Sequence, residues 1–166
     1  MVGRTKRPAG RAPRGDRRIQ EDHRDMYKAR GKLKDSTACR ECGATFHKGR
    51  WTWEPKAIKA RETLCPACHR IKDHCPQGLV TLKGQFFNEH REEIFGLIRN
   101  EEAKAKAEHP LSRLMKIEQQ DDATVISTTD THLPRRIGDA LHHAYKGEFN
   151  FHYDAGEEFT QAFWTR

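Results

Sequence analysis

The sequence predicts an α+β chain: a small four-cysteine module, a long connecting helix, and a ββαββ unit with one helix on a mainly antiparallel four-stranded sheet. Three observations predict it. Two Cys-x-x-Cys pairs, Cys39/Cys42 and Cys65/Cys68, bracket a basic, tryptophan-bearing stretch, "TACRECGATFHKGRWTW". An apolar stripe at helical spacing follows in "QFFNEHREEIFGLIRNEEAKAKAEHP". Residues 111–166 then pass from alternating to 3.6-residue periodicity and back.

The N-terminus lacks the apolar h-region of a secretion signal, and no run approaches the roughly 18–20 apolar residues of a transmembrane helix. The expectation is therefore a cytoplasmic protein, where thiols stay reduced and paired cysteines serve as metal ligands more often than as structural disulfides. Tetrahedral zinc takes four soft ligands, and each Cys-x-x-Cys turn brings two thiolates to one side of the ion. Cys39, Cys42, Cys65 and Cys68 thus complete a closed site for one structural Zn2+, with no open position for chemistry. The 22 residues between Cys42 and Cys65 slightly exceed the usual ribbon interval, which a longer hairpin absorbs. In "CRECGA", Gly43 permits the left-handed turn that aims backbone amides at sulfur. In "LCPACHRIKDHC", Pro66 suits the first helical position with Cys65 as its cap. Cys68 then falls in the first turn, where the helix dipole favours thiolate. Knuckle, hairpin and helix make residues 36–84 a treble-clef-like zinc module. Cys75 and His69 are alternative ligands, with His47 and His74 weaker. The rival reading, thioredoxin-like redox chemistry at "CPAC", needs a βαβ setting and leaves the first pair unexplained.

Inside this module "HKGRWTWEPK" alternates as a strand, with Trp51 and Trp53 on one face and Arg50 and Thr52 on the other. The two tryptophans serve either as the mini-core of a metal-stapled module or as a platform for stacked bases; the mini-core is the plainer reading. Lys48 and Arg50 would offset part of the site's negative charge. "GLVTLKG" reads as a short strand. Residues 85–110 read as one long helix with Phe87, Ile94, Leu97 and Ile98 inward, a solvated second half, and Pro110 as its stop. "LSRLMKIEQQ" and "ATVISTT" flank a hairpin turn at Asp121-Asp122. "DTHLPRRIGDALHHAYKG" is a helix capped by Asp130 or Thr131, with Leu133, Ile137, Leu141 and Ala144 inward and Gly147 at its end. Pro134 fits because it lies in the first turn. "EFNFHY" and "EEFTQAFW" complete the sheet across a "DAG" turn.

Composition bears on the partner. With 35% apolar and 33% charged residues, the chain has material for a thin core. The net charge is +7, and the excess sits at one end. Residues 1–34 hold twelve Lys/Arg against four acids, a net of +8, while the remaining 132 hold 19 against 20, a net of −1. The twelve are Arg4, Lys6, Arg7, Arg11, Arg14, Arg17, Arg18, Arg24, Lys28, Arg30, Lys32 and Lys34. Their Arg/Gly/Pro-rich setting is nearly empty of large apolar residues and cannot repay ordering, so 1–35 is expected to be a disordered basic arm for phosphates. Arginine-rich arms commonly fold on RNA. No amphipathic apolar face would hold a lipid surface, so no membrane partner is expected. Further candidate RNA contacts are Lys48, Arg50, Trp51 and Trp53, and Arg135, Arg136 and Lys146 on the outward face of the last helix, beside His142 and His143. Neither a Gly-rich phosphate loop, nor paired carboxylates, nor a Ser/His/Asp arrangement is legible. Neither catalysis nor a small-molecule substrate is expected.

"CRECGATFHKGRWTW", "LCPACHRIKD", "HPLSRLMKIE" and "STTDTHLPRRIGDALHHAYKGEFNFHYD" resemble a group of small bacterial zinc proteins, over roughly residues 24–166. These are similar to part of the nonsense-mediated-decay protein three family, the export and maturation adaptors of the large ribosomal subunit. The resemblance implies ribosome association through rRNA, with the large subunit as partner, and carries Cys39, Cys42, Cys65 and Cys68 over as zinc ligands. That larger adaptor has two zinc sites where this sequence carries one, and Pro134 stands where an ordinary helix former is expected. The functional expectation is a zinc-stapled ribosome- or rRNA-binding factor acting in assembly, stability or hibernation of ribosomes. The alternative is a zinc-containing DNA-binding transcriptional regulator. It would need a recognition helix, and "HLPRRIGDALHHAY" offers Arg135 and Arg136 without a preceding helix-turn-helix partner.

Overall fold

A computed structural model of the chain describes residues 26–27, 33–56 and 58–166. The expected arm cations from Arg4 through Lys32 lie outside the described residues; Lys34 is described and exposed. The architecture is α+β, with four helices and two sheets among the described residues.

The cysteine segment builds a sheet of three-residue strands in the order β3-β2-β1-β4: β1 (Thr37–Cys39), β2 (Thr45–His47), β3 (Arg50–Thr52) and β4 (Arg61–Thr63). β2 runs antiparallel to β1 and β3, and β1 runs parallel to β4. "HKGRWTWEPK" is therefore not one strand. Lys48 and Gly49 both take positive φ, 48° and 85°, which is how a two-residue hairpin turn matches the twist of its strands. Helix α1 (Pro66–Asp73) follows, with Pro66 at its first turn. Cys65 is its N-cap, and the Cys65 Sγ accepts the Cys68 N–H at 3.4 Å.

The second sheet has five strands where the sequence reading expects four. Its order is β6-β7-β5-β9-β8, from β5 (Gly78–Lys83), β6 (Leu114–Gln120), β7 (Ala123–Thr128), β8 (Glu148–Asp154) and β9 (Phe159–Thr165). The extra strand is "GLVTLK", expected at the end of the cysteine module. It lies at the centre, antiparallel to β7 and parallel to β9. The reason is burial: Val80 and Leu82 point inward with no exposure, and the cysteine module has no core large enough to take them. They join Ile126, Ala162 and Trp164 from the other strands, and helical residues such as Phe87, Ile94, Ile98, Ile137 and Leu141.

The connecting helix is broken into α2 (Gln85–Glu89) and α3 (Arg91–Glu108). His90 stands at the break, its backbone off the helical region at φ −118° and ψ 26°; its ring stacks on Phe86 with centroids 4.0 Å apart, and its Nδ1 lies 3.0 Å from the Phe86 carbonyl oxygen. The second half of α3 is mostly solvated, as expected, but is anchored at three points. Ala105 is buried, Glu102 accepts the Leu114 N–H at 2.8 Å, and the Lys106 carbonyl accepts the Trp53 indole N–H at 2.6 Å. It is the beam on which the cysteine module rests.

Helix α4 (Leu133–Tyr145) buries Leu133, Ile137 and Leu141 as its spacing predicts, while Ala144 is exposed. The N-cap is His132 rather than Asp130 or Thr131, and its side chain makes no capping bond; Asp130, two residues earlier, accepts the Leu133 N–H at 3.3 Å, and Pro134 sits in the first turn. Gly138 is buried against Phe149, whose ring occupies the place a Cβ would take. Gly96, midway along α3, has nothing within 4 Å of such a Cβ. The two glycines therefore respond with opposite sign. Gly138→Val overpacks the helix–sheet contact and costs about 1–3 kcal/mol; Gly96→Ala removes a helix-interior glycine and gains about 1 kcal/mol. Urea midpoints of the two variants check this pair. Among the described residues, no helix is long and apolar enough to cross a membrane.

Candidate metal centre

Three local structures deliver four sulfurs to one point. Cys39 ends β1, Cys42 follows in the knuckle, and Cys65 and Cys68 come from the cap and first turn of α1. Gly43, with φ +77°, lets the knuckle close, donating its N–H to the Cys39 carbonyl at 2.9 Å. All four ligand atoms lie within 4.8 Å of one another, and Cys42 Sγ is 3.7 Å from Cys65 Sγ. That is far beyond a disulfide bond of about 2.05 Å, and every cysteine is free. A tetrahedral ion with metal–sulfur bonds of about 2.3 Å sets sulfur–sulfur edges near 3.8 Å. The four cysteines could hold a metal ion, and the Cys42–Cys65 edge already matches that length. Cys75 and His69 stand outside the cluster.

Electrostatics separates the four thiols. Burial works against a Cys39 thiolate, but the amide N–H groups of Cys65, Cys42 and Glu41 outweigh it and bring its pKa down to about 7. Burial pushes the Cys65 thiol up, with neighbouring cysteines adding to the effect. Cys68 is likewise raised by burial, to about 11, although Arg113 draws it back. Without a cation, the buried pair stays protonated; a metal ion supplies the charge that ionises it.

Part of the compensating charge comes from a residue that sequence reasoning missed. Arg113 immediately precedes β6, is 7% exposed, and aims its guanidinium into the cluster. Nη1 donates to Cys68 Sγ at 3.3 Å, Nη2 approaches Cys65 Sγ at 3.9 Å, and Nε donates to the Pro110 carbonyl at 2.7 Å. Burial opposes its charge, but the cysteine sulfurs, Cys42 foremost, hold its pKa above the ordinary arginine value. Lys48 and Arg50, expected to offset the site's charge, stand exposed at the hairpin turn instead.

The remaining candidates divide. Trp51 packs on the cysteine cluster and meets Phe46 edge-on at 5.7 Å. Trp53 is 39% exposed, bonded to α3 through its indole N–H and lying 6.0 Å from the Arg113 guanidinium. Trp51 is thus part of the module's core, and Trp53 ties the module to α3. Arg136 is not an outward residue: Glu101 and Glu108 of α3 hold it at 3.0 and 3.3 Å. Arg135 is exposed, pairs with Asp139 at 3.7 Å and covers the Phe151 ring. Lys146 is exposed just past α4, its carbonyl accepting the Trp164 indole N–H. No family model, curated protein or solved structure matches the chain.

Proposed function

We propose that the four cysteines hold one structural Zn2+, and that the chain is a ribosome- or rRNA-binding factor with a basic N-terminal arm. Four soft thiolates at tetrahedral spacing support zinc, and the lack of a fifth position supports a structural ion. The order of knuckle, hairpin and metal-anchored helix supports a treble-clef-like module. The RNA reading is carried by one observation: the charge of +8 in residues 1–34, joined to a remainder of −1. A neutral scaffold with a concentrated cationic segment is suited to a polyanion, whose condensed counterions that segment displaces. The resemblance of the cysteine and "STTDTHLPRRIGDALHHAYKG" motifs to small bacterial zinc proteins, themselves similar to part of the large-subunit adaptor family, supports the ribosome as the particle.

The test is a sucrose gradient of tagged protein in cell lysate at low and high salt. Migration with the large subunit or whole ribosome, reduced by salt, is expected. A chain that stays at the top in low salt removes the ribosome from consideration and brings DNA forward. Deleting residues 1–34 should weaken RNA binding and flatten its salt dependence by about 0.7–0.9 in log–log slope per lost phosphate contact. An unchanged slope would show that the arm is not the electrostatic anchor.

A further inference from the structure

A crevice of about 1440 Å³ opens beside the cysteine module, between its hairpin and the α3–β6 junction. That exceeds the roughly 300–1,000 Å³ of a small-ligand pocket. Its floor is built on the metal centre: Trp51, Leu64 and Leu111 pack against the cysteine cluster and also line the crevice. One wall is cationic. Lys34, Lys48 and Arg50 stand on it, all exposed, and among the described residues no carboxylate pairs with their side chains.

The acids around the crevice are engaged. Glu108 is held by Arg136 at 3.3 Å. Asp130 accepts the Ser112 hydroxyl at 2.7 Å and the Leu133 N–H at 3.3 Å. Asp35 accepts the Lys48 backbone N–H at 3.0 Å. Among the described residues, the three lining carboxylates thus make contacts within the fold, and none of them pairs with the side chains of the three cations beside the aromatic floor.

We propose that this crevice binds a short single-stranded RNA segment, with phosphates on Lys34, Lys48 and Arg50 and a base against Trp51. The proposal rests on the RNA-binding reading and gives it a second site, separate from the arm. Free cations beside an aromatic side chain match a strand that presents both its backbone and its base faces. A duplex keeps those faces in its stack and cannot use the floor. Lys34 is also the last cation of the +8 segment, so one polyanion can run from the crevice onto the arm.

The test uses the full-length zinc-loaded chain and a fluorescein-labelled RNA hexamer, read by anisotropy across a salt series. A duplex of the same sequence and an acidic hexapeptide serve as competitors. Lys48→Glu/Arg50→Glu changes the exposed hairpin turn and leaves core and cysteines alone. It should weaken hexamer binding at least about tenfold and lower the log–log salt slope by about 1.4, the loss of two single-strand phosphate contacts. Trp51→Leu, verified to hold one zinc per chain, should weaken binding about 5- to 150-fold, the loss of one stacked base, at unchanged slope. If the double variant keeps wild-type affinity and slope, or the duplex binds as well as the single strand, the crevice site is refuted while arm-borne RNA binding stands. A wild-type chain that binds no RNA even at low salt refutes both. Displacement of the hexamer by the acidic peptide but not by excess unlabelled RNA would assign the crevice to a protein partner and refute the proposal.

Discussion

Replacing Arg113 with methionine weakens metal binding by about ten- to a hundredfold, the usual cost of losing a partner that supports a metal ligand. Four thiolates around a divalent cation leave two net negative charges in a site where Cys39 and Cys65 are 2% and 0% exposed. Arg113 cancels one of them with a buried charge that reaches two sulfurs and is fixed by the Pro110 carbonyl. The effect is smaller in the metal-free chain. There burial keeps Cys65 and Cys68 protonated, while Cys42 and the more acidic Cys39 still draw the guanidinium, so methionine costs less stability without metal than with it. Urea unfolding with and without metal, together with competition against a chromophoric chelator, reads both halves. Arg113→Lys keeps the charge but not the fork that spans Cys65 and Cys68, so it should recover part of the affinity. Equal metal affinity in Arg113→Met would remove Arg113 from the centre.

What the sequence discloses depends on how far apart the interacting residues lie. The cysteines are legible because each pair is local and the spacing itself encodes two sulfurs on one side of an ion. Cys65 and Pro66 are legible for the same reason, since a cap and a first helical position are adjacent. Arg113 is not: it sits 45 residues from Cys68, and a single arginine ahead of a strand has no period. The one available signal is a deficit, because four clustered thiolates need a cation and the module's own candidates, Lys48 and Arg50, belong to a hairpin turn. β5 shows the other limit. Its alternation is plain, but its partner β9 comes from the far end of the chain, and parallel pairing leaves no turn to read. Arg136 reads as outward on a helical wheel because the wheel carries no trace of Glu101 and Glu108 standing opposite on α3.

Removing the metal, by chelation or by Cys68→Ser, unfolds the cysteine module and leaves the five-stranded sheet standing. The cysteine cluster comprises Cys39, Ala44, Cys65, Ala67 and Cys68, and its strands are three residues long. Without the roughly 10–16 kcal/mol that structural zinc contributes in small modules, so little apolar burial cannot repay the ordering of the chain around it. The second core shares none of those residues and includes Val80, Leu82, Phe87, Ile94, Ile126 and Trp164. Tryptophan emission separates the two events. Trp51 and Trp53 belong to the metal module, whereas Trp164 is fully buried with its indole N–H bonded to the Lys146 carbonyl at 2.8 Å. Chelation should therefore shift part of the emission to the red and leave a blue component, while limited proteolysis removes the module and stops short of β5. The junction must loosen as well, since the Trp53–Lys106 bond and the Arg113–Cys68 contact both end on the metal module. If the blue component and the protease-resistant fragment vanish together with the metal, the two cores form one cooperative unit. In that case a metal bound by the four cysteines would hold the whole fold, and the crevice could not be lost without losing the sheet.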